Sequence, residues 1–292
     1  MDKYIDDFIN YISNIKKYSN YTCINYRIDL DKFNSYIKMN NINFNDVEYS
    51  NIRGYISYLY NLDESNKTIT RNISSLRSFY KYMTKFYSFD NPMILITNPK
   101  QDKLLPHYLS YDDIETLLKV TSSNDPYDIR NNLIIELLYS TGIRVSELVG
   151  IKIEDIDLSD ESIKVYGKGK KYRIVYFGKI CKDKIIKYLN IRNSIIKEST
   201  PYLLINKRGY KLSDRSVRKI FEDLIKLNHL DISFSPHTLR HTYATHMLNG
   251  GADIRSVGEL LGHSSINTTG IYTHVSNEHL RNVYLKSHPR GK

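Results

Sequence analysis

The chain has 292 residues, too many for one average domain and enough for two compact units with substantial cores, so neither unit needs covalent staples. Its 42 Lys and Arg against 32 Asp and Glu leave a formal charge of +10, the excess that a polyanion-binding surface requires, although a merely basic soluble protein fits the charge equally well. Two cysteines far apart, Cys23 and Cys181, exclude a disulfide framework and a cysteine zinc site and suit a reducing cytoplasm; the longest apolar stretch, around Met93 to Ile96, is far short of a membrane span, so neither export nor membrane anchoring is expected.

From Tyr4 to about Phe86 the apolar residues recur at helical spacing: Ile5, Phe8, Ile9 and Ile12; Tyr26, Leu30, Phe33 and Ile37; Ile52, Ile56 and Leu59; Ile69, Ile73, Leu76 and Met83. Four helices are predicted, with capping residues at Asn20 with Thr22, Ser50 with Asn51, and Ser65 with Asn66. Arg71, Arg77, Lys81 and Lys85 spread along the fourth, as a solvated basic face or as groove contacts. The stretch 91–107, with Pro92, Pro99 and Pro106, reads as an extended linker between domains 1–90 and 108–292.

Ser110 with Asp113 opens the second domain as a helix start. A helix from about Pro126 to Tyr139 stops at Gly142, a natural C-terminal cap. Residues 151–158, 162–166 and 172–177 alternate at period two and predict a small antiparallel sheet, its last turn being GKGKK. Helices return for most of the rest, interrupted by a short strand over 202–205.

Ser235 as N-cap and Pro236 at the first helical position place His237 and Arg240 three apart on one helical face, where both reach one anion. LLGHSS ends a helix at Gly262 and presents His263, and Tyr272 follows in GIYTHV. STGIRVSEL puts Arg144 just after a helix-ending glycine, at a helix start whose N–H groups favour a phosphate. GKGKK lacks the GxxxxGK[ST] spacing of a nucleotide-binding loop, and His237 with His241 lacks the HExxH pattern and a third ligand for zinc.

Taken together, TGIR, HTLRH, LGHSS and IYTH in this order resemble the catalytic box of the tyrosine recombinase (phage integrase) family, and its Xer-type site-specific recombinases in particular. NPKQDKLLPHYLS, GKGKKYRIV, LLINKRGYKLS and SHPRGK extend that resemblance over nearly the whole chain. It implies a mainly α protein: a four-helix SAM-like DNA-binding domain, then a mostly helical catalytic domain with a small antiparallel sheet and a C-terminal tail exchanged with a neighbour. Carried over by position, Tyr272 is the nucleophile, Arg144 and Arg240 clamp the scissile phosphate, and His263 hydrogen-bonds it. His237 is the general base, Lys168 the general acid, and Glu147 a bracing acid rather than one half of a surface ion pair with Arg144. DNA contacts are expected from Arg71, Arg77, Lys81, Lys170 and Lys171.

The chemistry needs these types. A phosphodiester under attack gathers charge on its equatorial oxygens, which the planar guanidinium fork stabilises. A tyrosine with an ordinary pKa near 10 must lose its proton during attack, and a neighbouring histidine accepts it. The resemblance implies no cofactor or metal, a double-stranded DNA site, a homotetramer or a heterotetramer with a second recombinase, and a septal DNA translocase as an activating partner. Resolution of chromosome or plasmid dimers is the leading function. A phage or transposon integrase, a non-catalytic DNA-binding accessory factor and a type IB topoisomerase are the alternatives, and the missing arm-binding domain speaks against the first. Gly258, Gly270 and Tyr176 depart from the family pattern: two glycines stand where polar residues are usual, and a tyrosine replaces a proline at the strand end.

Overall fold

The computed structural model describes residues 1–100, 108–121, 123–167, 172–227, 234–262 and 276–291. By internal contacts the chain divides into two compact units, Met1–Leu104 and Leu105–Lys292.

The first unit holds α1 (Asp2–Asn10), which runs into a π-helical turn over Tyr11–Ile15, then α2 (Asn20–Met39), α3 (Tyr49–Asn61) and α4 (Asn66–Tyr87). The predicted helices are present, but two starts differ in their caps. Ser19, not Asn20, accepts the Thr22 N–H at α2, and Glu48 caps α3 while the Asn51 side chain accepts the Glu48 N–H. Ser65 caps α4 as expected. Phe8, Phe33, Tyr55, Phe79 and Tyr80 fill the core in edge-on ring contacts. The first part of the predicted linker packs onto this unit: Met93 and Ile96 are buried, and Arg77 donates to the Ile96 carbonyl at 2.9 Å. Two apolar residues three apart supply a docking face that a proline-rich composition hid.

In the second unit the order is α5 (Tyr111–Val120), α6 (Pro126–Thr141), α7 (Val145–Leu148), β1 (Ile156–Asp157), β2 (Ser162–Tyr166), β3 (Tyr172–Tyr176), α8 (Lys179–Ile195), α9 (Asp214–Leu227), α10 (Pro236–Asn249), α11 (Ile254–Leu261) and α12 (Asn277–Ser287). Helix α6 is buried on every side from Leu133 to Thr141 and packs against α8 and α10, so it forms the spine of the unit. It ends at Gly142, whose φ of 60° is left-handed and where an added Cβ would strike the Tyr243 ring at 2.5 Å.

The sheet is antiparallel in the order β1-β2-β3, with Ile163 opposite Val175 and Val165 opposite Arg173. Its first strand is shorter than the alternation over 151–158 suggests. The Asp155 carboxylate accepts the Lys152 N–H at 2.9 Å and turns Ile153–Asp155 into a 3₁₀ turn, diverting that backbone from the ladder. The expected strand over 202–205 is reduced to isolated bridges, Lys152 to Tyr202 and Ile205 to Lys211.

The tail docks on its own unit in this single chain. Tyr284 is fully buried against Tyr243, Met247 and Leu260, and the Tyr176 hydroxyl donates to the Asn277 carbonyl at 2.9 Å. Tyr176, the departure from proline, stays within β3 and ties the start of α12 to the sheet. Beyond α12, Arg290 is buried and donates to Glu136 at 3.1 Å and Glu115 at 2.6 Å; Lys184 also reaches Glu136, at 2.6 Å.

Candidate active site

Arg144 follows the Gly142 cap of α6 and occupies the N-cap of α7. Its N–H, one of the donors expected to face a phosphate, is already bound to Glu147 Oε2 at 2.7 Å, and its Nη1 meets Glu147 Oε1 at 3.1 Å. The rest of its fork faces the end of α11, with Nη1 3.5 Å from the Leu261 carbonyl and Nη2 3.3 Å from that of Gly262. Arg240, in the second turn of α10, donates through Nη1 to the Gly142 carbonyl and through Nη2 to Leu261 at 2.6 Å.

Ser235 does cap α10, accepting the Thr238 N–H at 3.1 Å with Pro236 at the first helical position. His237 is exposed one turn before the buried Arg240. Helix α11 runs unbroken through Gly258 and closes on Gly262, at φ 67°. The last carbonyls of a helix lack intrahelical partners and form the negative end of its dipole. Here arginines satisfy them.

A third arginine, which sequence reasoning missed, belongs to this cluster. Arg173 of β3 donates through Nε to the Leu260 carbonyl at 3.0 Å and grips Glu147 with both arms, at 2.7 and 2.9 Å. A signal existed in the strand pattern: Arg173 shares the inward face with Val175, which is buried, and a charge on such a face requires a partner.

Glu147 is therefore no surface ion pair; its side chain is 2% exposed and engages both Arg144 and Arg173. Burial raises its pKa, but the Arg173 hydrogen bonds and charge, aided by Arg144, outweigh that and hold the carboxyl below its usual value. Burial, and next the charge of Arg144, push the Arg240 guanidinium down to about 10, so it remains charged at neutral pH. Three guanidiniums against one carboxylate leave two net positive charges at the end of α11. That is a preorganised seat for an oxyanion.

Of the expected residues, the structure brings Arg144, Glu147 and Arg240 together and puts His237 on the same helix as Arg240. Lys168, Lys170, Lys171, His263 and Tyr272 lie outside the described residues. In the first unit, Arg71 pairs at 3.0 Å with the buried Asp29 and donates to Asn25, Arg77 is tied to Ile96, and Lys81 is exposed. Among the described residues no three His, Cys, Asp or Glu side chains are grouped to hold a metal ion, and no helix is long and apolar enough to cross a membrane.

The chain matches the phage integrase family over residues 107–279 and the phage integrase N-terminal SAM-like domain over residues 5–85. It is 42% identical to tyrosine recombinase XerC of Staphylococcus saprophyticus, covering 100% of this chain and 99% of the relative. To XerC of Staphylococcus aureus it is 41% identical, covering 98% and 97%. Among solved structures it resembles XerH site-specific recombinase bound to its difH substrate, with TM-score 0.69, 26% identity, and 89% and 78% of the two chains covered. The Tn1549 transposon integrase in complex with circular intermediate DNA matches at TM-score 0.75, 20% identity, and 96% and 98% coverage, a likeness of fold alone.

Fold, arginine cluster and family match together define a DNA breaking and joining enzyme, and the chain belongs to the phage integrase family. Within that family it is a tyrosine recombinase, and its substrate is DNA.

Proposed function

We propose that the chain exchanges DNA strands at a specific site through a 3′-phosphotyrosyl intermediate and thereby resolves chromosome or plasmid dimers. The convergence of Arg144 and Arg240 on the Leu261 carbonyl carries this reading, because it sets two phosphate-binding forks side by side. In the proposed step the Tyr272 oxygen bonds to phosphorus and passes its proton to His237, while the bond to the 5′ oxygen breaks and Lys168 protonates that oxygen. Arg144 and Arg240 hold the charge of the pentavalent state, His263 hydrogen-bonds it, and Glu147 braces Arg144. The phosphotyrosyl bond conserves the energy of the broken phosphodiester, so a 5′-hydroxyl from the partner strand reverses the step. No metal or nucleotide enters it.

The proposed assembly is a tetramer on two DNA sites, of this chain alone or with a second recombinase, acting in the cytoplasm under a septal DNA translocase. In it the α12 tail leaves its own unit and docks on a neighbour, since exchange of a terminal element links subunits at low cost. Full-length likeness to two XerC relatives at 41–42% favours dimer resolution over transposon integration. DNA contacts are assigned to Arg71, Arg77, Lys81, Lys170 and Lys171. The test is a plasmid carrying two direct copies of the cleavage site mapped with suicide DNA: conversion of dimers to monomers supports the reading, and relaxation of plasmids lacking the site indicates a topoisomerase instead.

A further inference from the structure

We infer that Arg173 is a positioning residue for cleavage: it engages both oxygens of Glu147, so that Arg144 keeps its fork and its charge for the scissile phosphate. The inference rests on the proposed phosphate clamp and adds to it a residue outside the set expected from sequence.

Glu147 is three residues from Arg144, close enough to take the fork bidentately and cancel the charge that a phosphate needs. It does not do so. Arg173 takes both carboxylate oxygens, at 2.7 and 2.9 Å, so Glu147 touches the Arg144 guanidinium through Nη1 alone, at 3.1 Å, and the Arg144 N–H at 2.7 Å. Among the described residues Nη2 of Arg144 contacts the Gly262 carbonyl alone, at 3.3 Å, which is a long and neutral contact that a phosphate oxygen outcompetes.

Arg173 is itself well anchored. Its side chain is 16% exposed, it stems from β3 opposite Val165, and its Nε donates to the Leu260 carbonyl at 3.0 Å. One side chain therefore links the sheet, α7 and the end of α11, where both clamp arginines are seated. Its guanidinium lies 3.2 Å from where a Cβ on Gly262 would stand, so nothing larger than glycine fits at that cap without moving Arg173. Lysine would carry the charge but would not engage two oxygens and a carbonyl at once.

The experiment measures single-turnover formation of the covalent protein–DNA adduct on two suicide substrates, one with an ordinary scissile phosphate and one with a neutral methylphosphonate there. Arg173→Gln should bind a half-site as the wild type does and cleave the phosphate substrate about tenfold to a hundredfold more slowly, with Arg173→Lys intermediate. On the methylphosphonate the charge that Arg144 answers is gone, so variant and wild type should converge. Arg173→Gln with Glu147→Gln leaves no carboxylate unpaired and none to cancel the Arg144 charge, so it should fold and cleave the phosphate substrate close to the wild-type rate; if Arg173→Gln alone does not fold, Arg173→Lys supplies the phosphate-selective slowing in its place. Cleavage of the phosphate at the wild-type rate would overturn the inference, as would equal slowing on both substrates, which marks a purely structural role. Absence of any adduct with the wild-type protein would instead reject the clamp reading itself.

Discussion

Arg144 and Arg240 donate to one and the same oxygen, the Leu261 carbonyl, at 3.5 and 2.6 Å. Two like charges are thus held side by side by helix-end carbonyls before any DNA arrives, which in the proposed mechanism places them for the phosphate charge that develops. Arg240→Lys keeps the charge but not the fork that spans Gly142 and Leu261. Half-site binding in a gel shift should persist while adduct formation falls by about 10²–10³-fold. A matching loss of binding would show that Arg240 holds the protein on DNA and not the transition state.

Lys168→Ala should slow cleavage of ordinary DNA. A substrate with sulfur in place of the 5′-bridging oxygen, whose leaving group needs no proton, should restore the rate. Slow cleavage of both substrates would remove Lys168 from the role of acid.

His288 gives the tail a pH dependence. Burial, with the charges of His246 and Arg290, lowers its pKa from 6.5 to about 3, and its Nδ1 accepts the Arg290 N–H at 3.0 Å, a bond that protonation would break. The unfolded histidine takes a proton below about 6.5 and the docked one does not, so the docked tail is at full stability above that pH and weakens as pH falls toward 3. The loss is about 1.4 kcal/mol per pH unit, or roughly 2 kcal/mol at pH 5. Hydrogen exchange of the α12 amides should quicken accordingly relative to the rest of the unit, and His288→Asn should flatten that response.

Truncation after Ser276 removes Leu280 and Tyr284 from the cluster they form with Tyr176, Tyr243 and Met247. Losing both should cost the second unit about 3–6 kcal/mol. Single protomers should still occupy a half-site, but cooperative filling of the full site should drop and strand exchange should stop. Unchanged cooperativity would mean that the tail stays in cis and that another surface joins the protomers.

What could be read from sequence was local. The helical spacing of Ile69, Ile73, Leu76 and Met83 gave α4 its buried face, and Gly142 and Gly262 marked helix ends because each takes a left-handed φ. Arg144, Arg240 and Glu147 were legible because their motifs are short and sit beside those glycines. Arg173 was not, since its partner Glu147 lies 26 residues away and no spacing rule joins a strand to a helix start. Arg290 and Glu136 are 154 residues apart, and SHPRGK alone does not reveal that its arginine fills a buried acid pocket. A fully buried acid within the apolar run of α6 was the one available hint.

The most direct test of the account uses a suicide DNA substrate and a denaturing gel, with the wild-type protein and Tyr272→Phe side by side. That change removes only the attacking oxygen and leaves Arg144 and Arg240 in place. The wild type should form an adduct at the 3′ phosphate, and the variant should bind the same DNA equally well and form none. An adduct that survives in Tyr272→Phe would contradict the assignment of the nucleophile and the mechanism built on it.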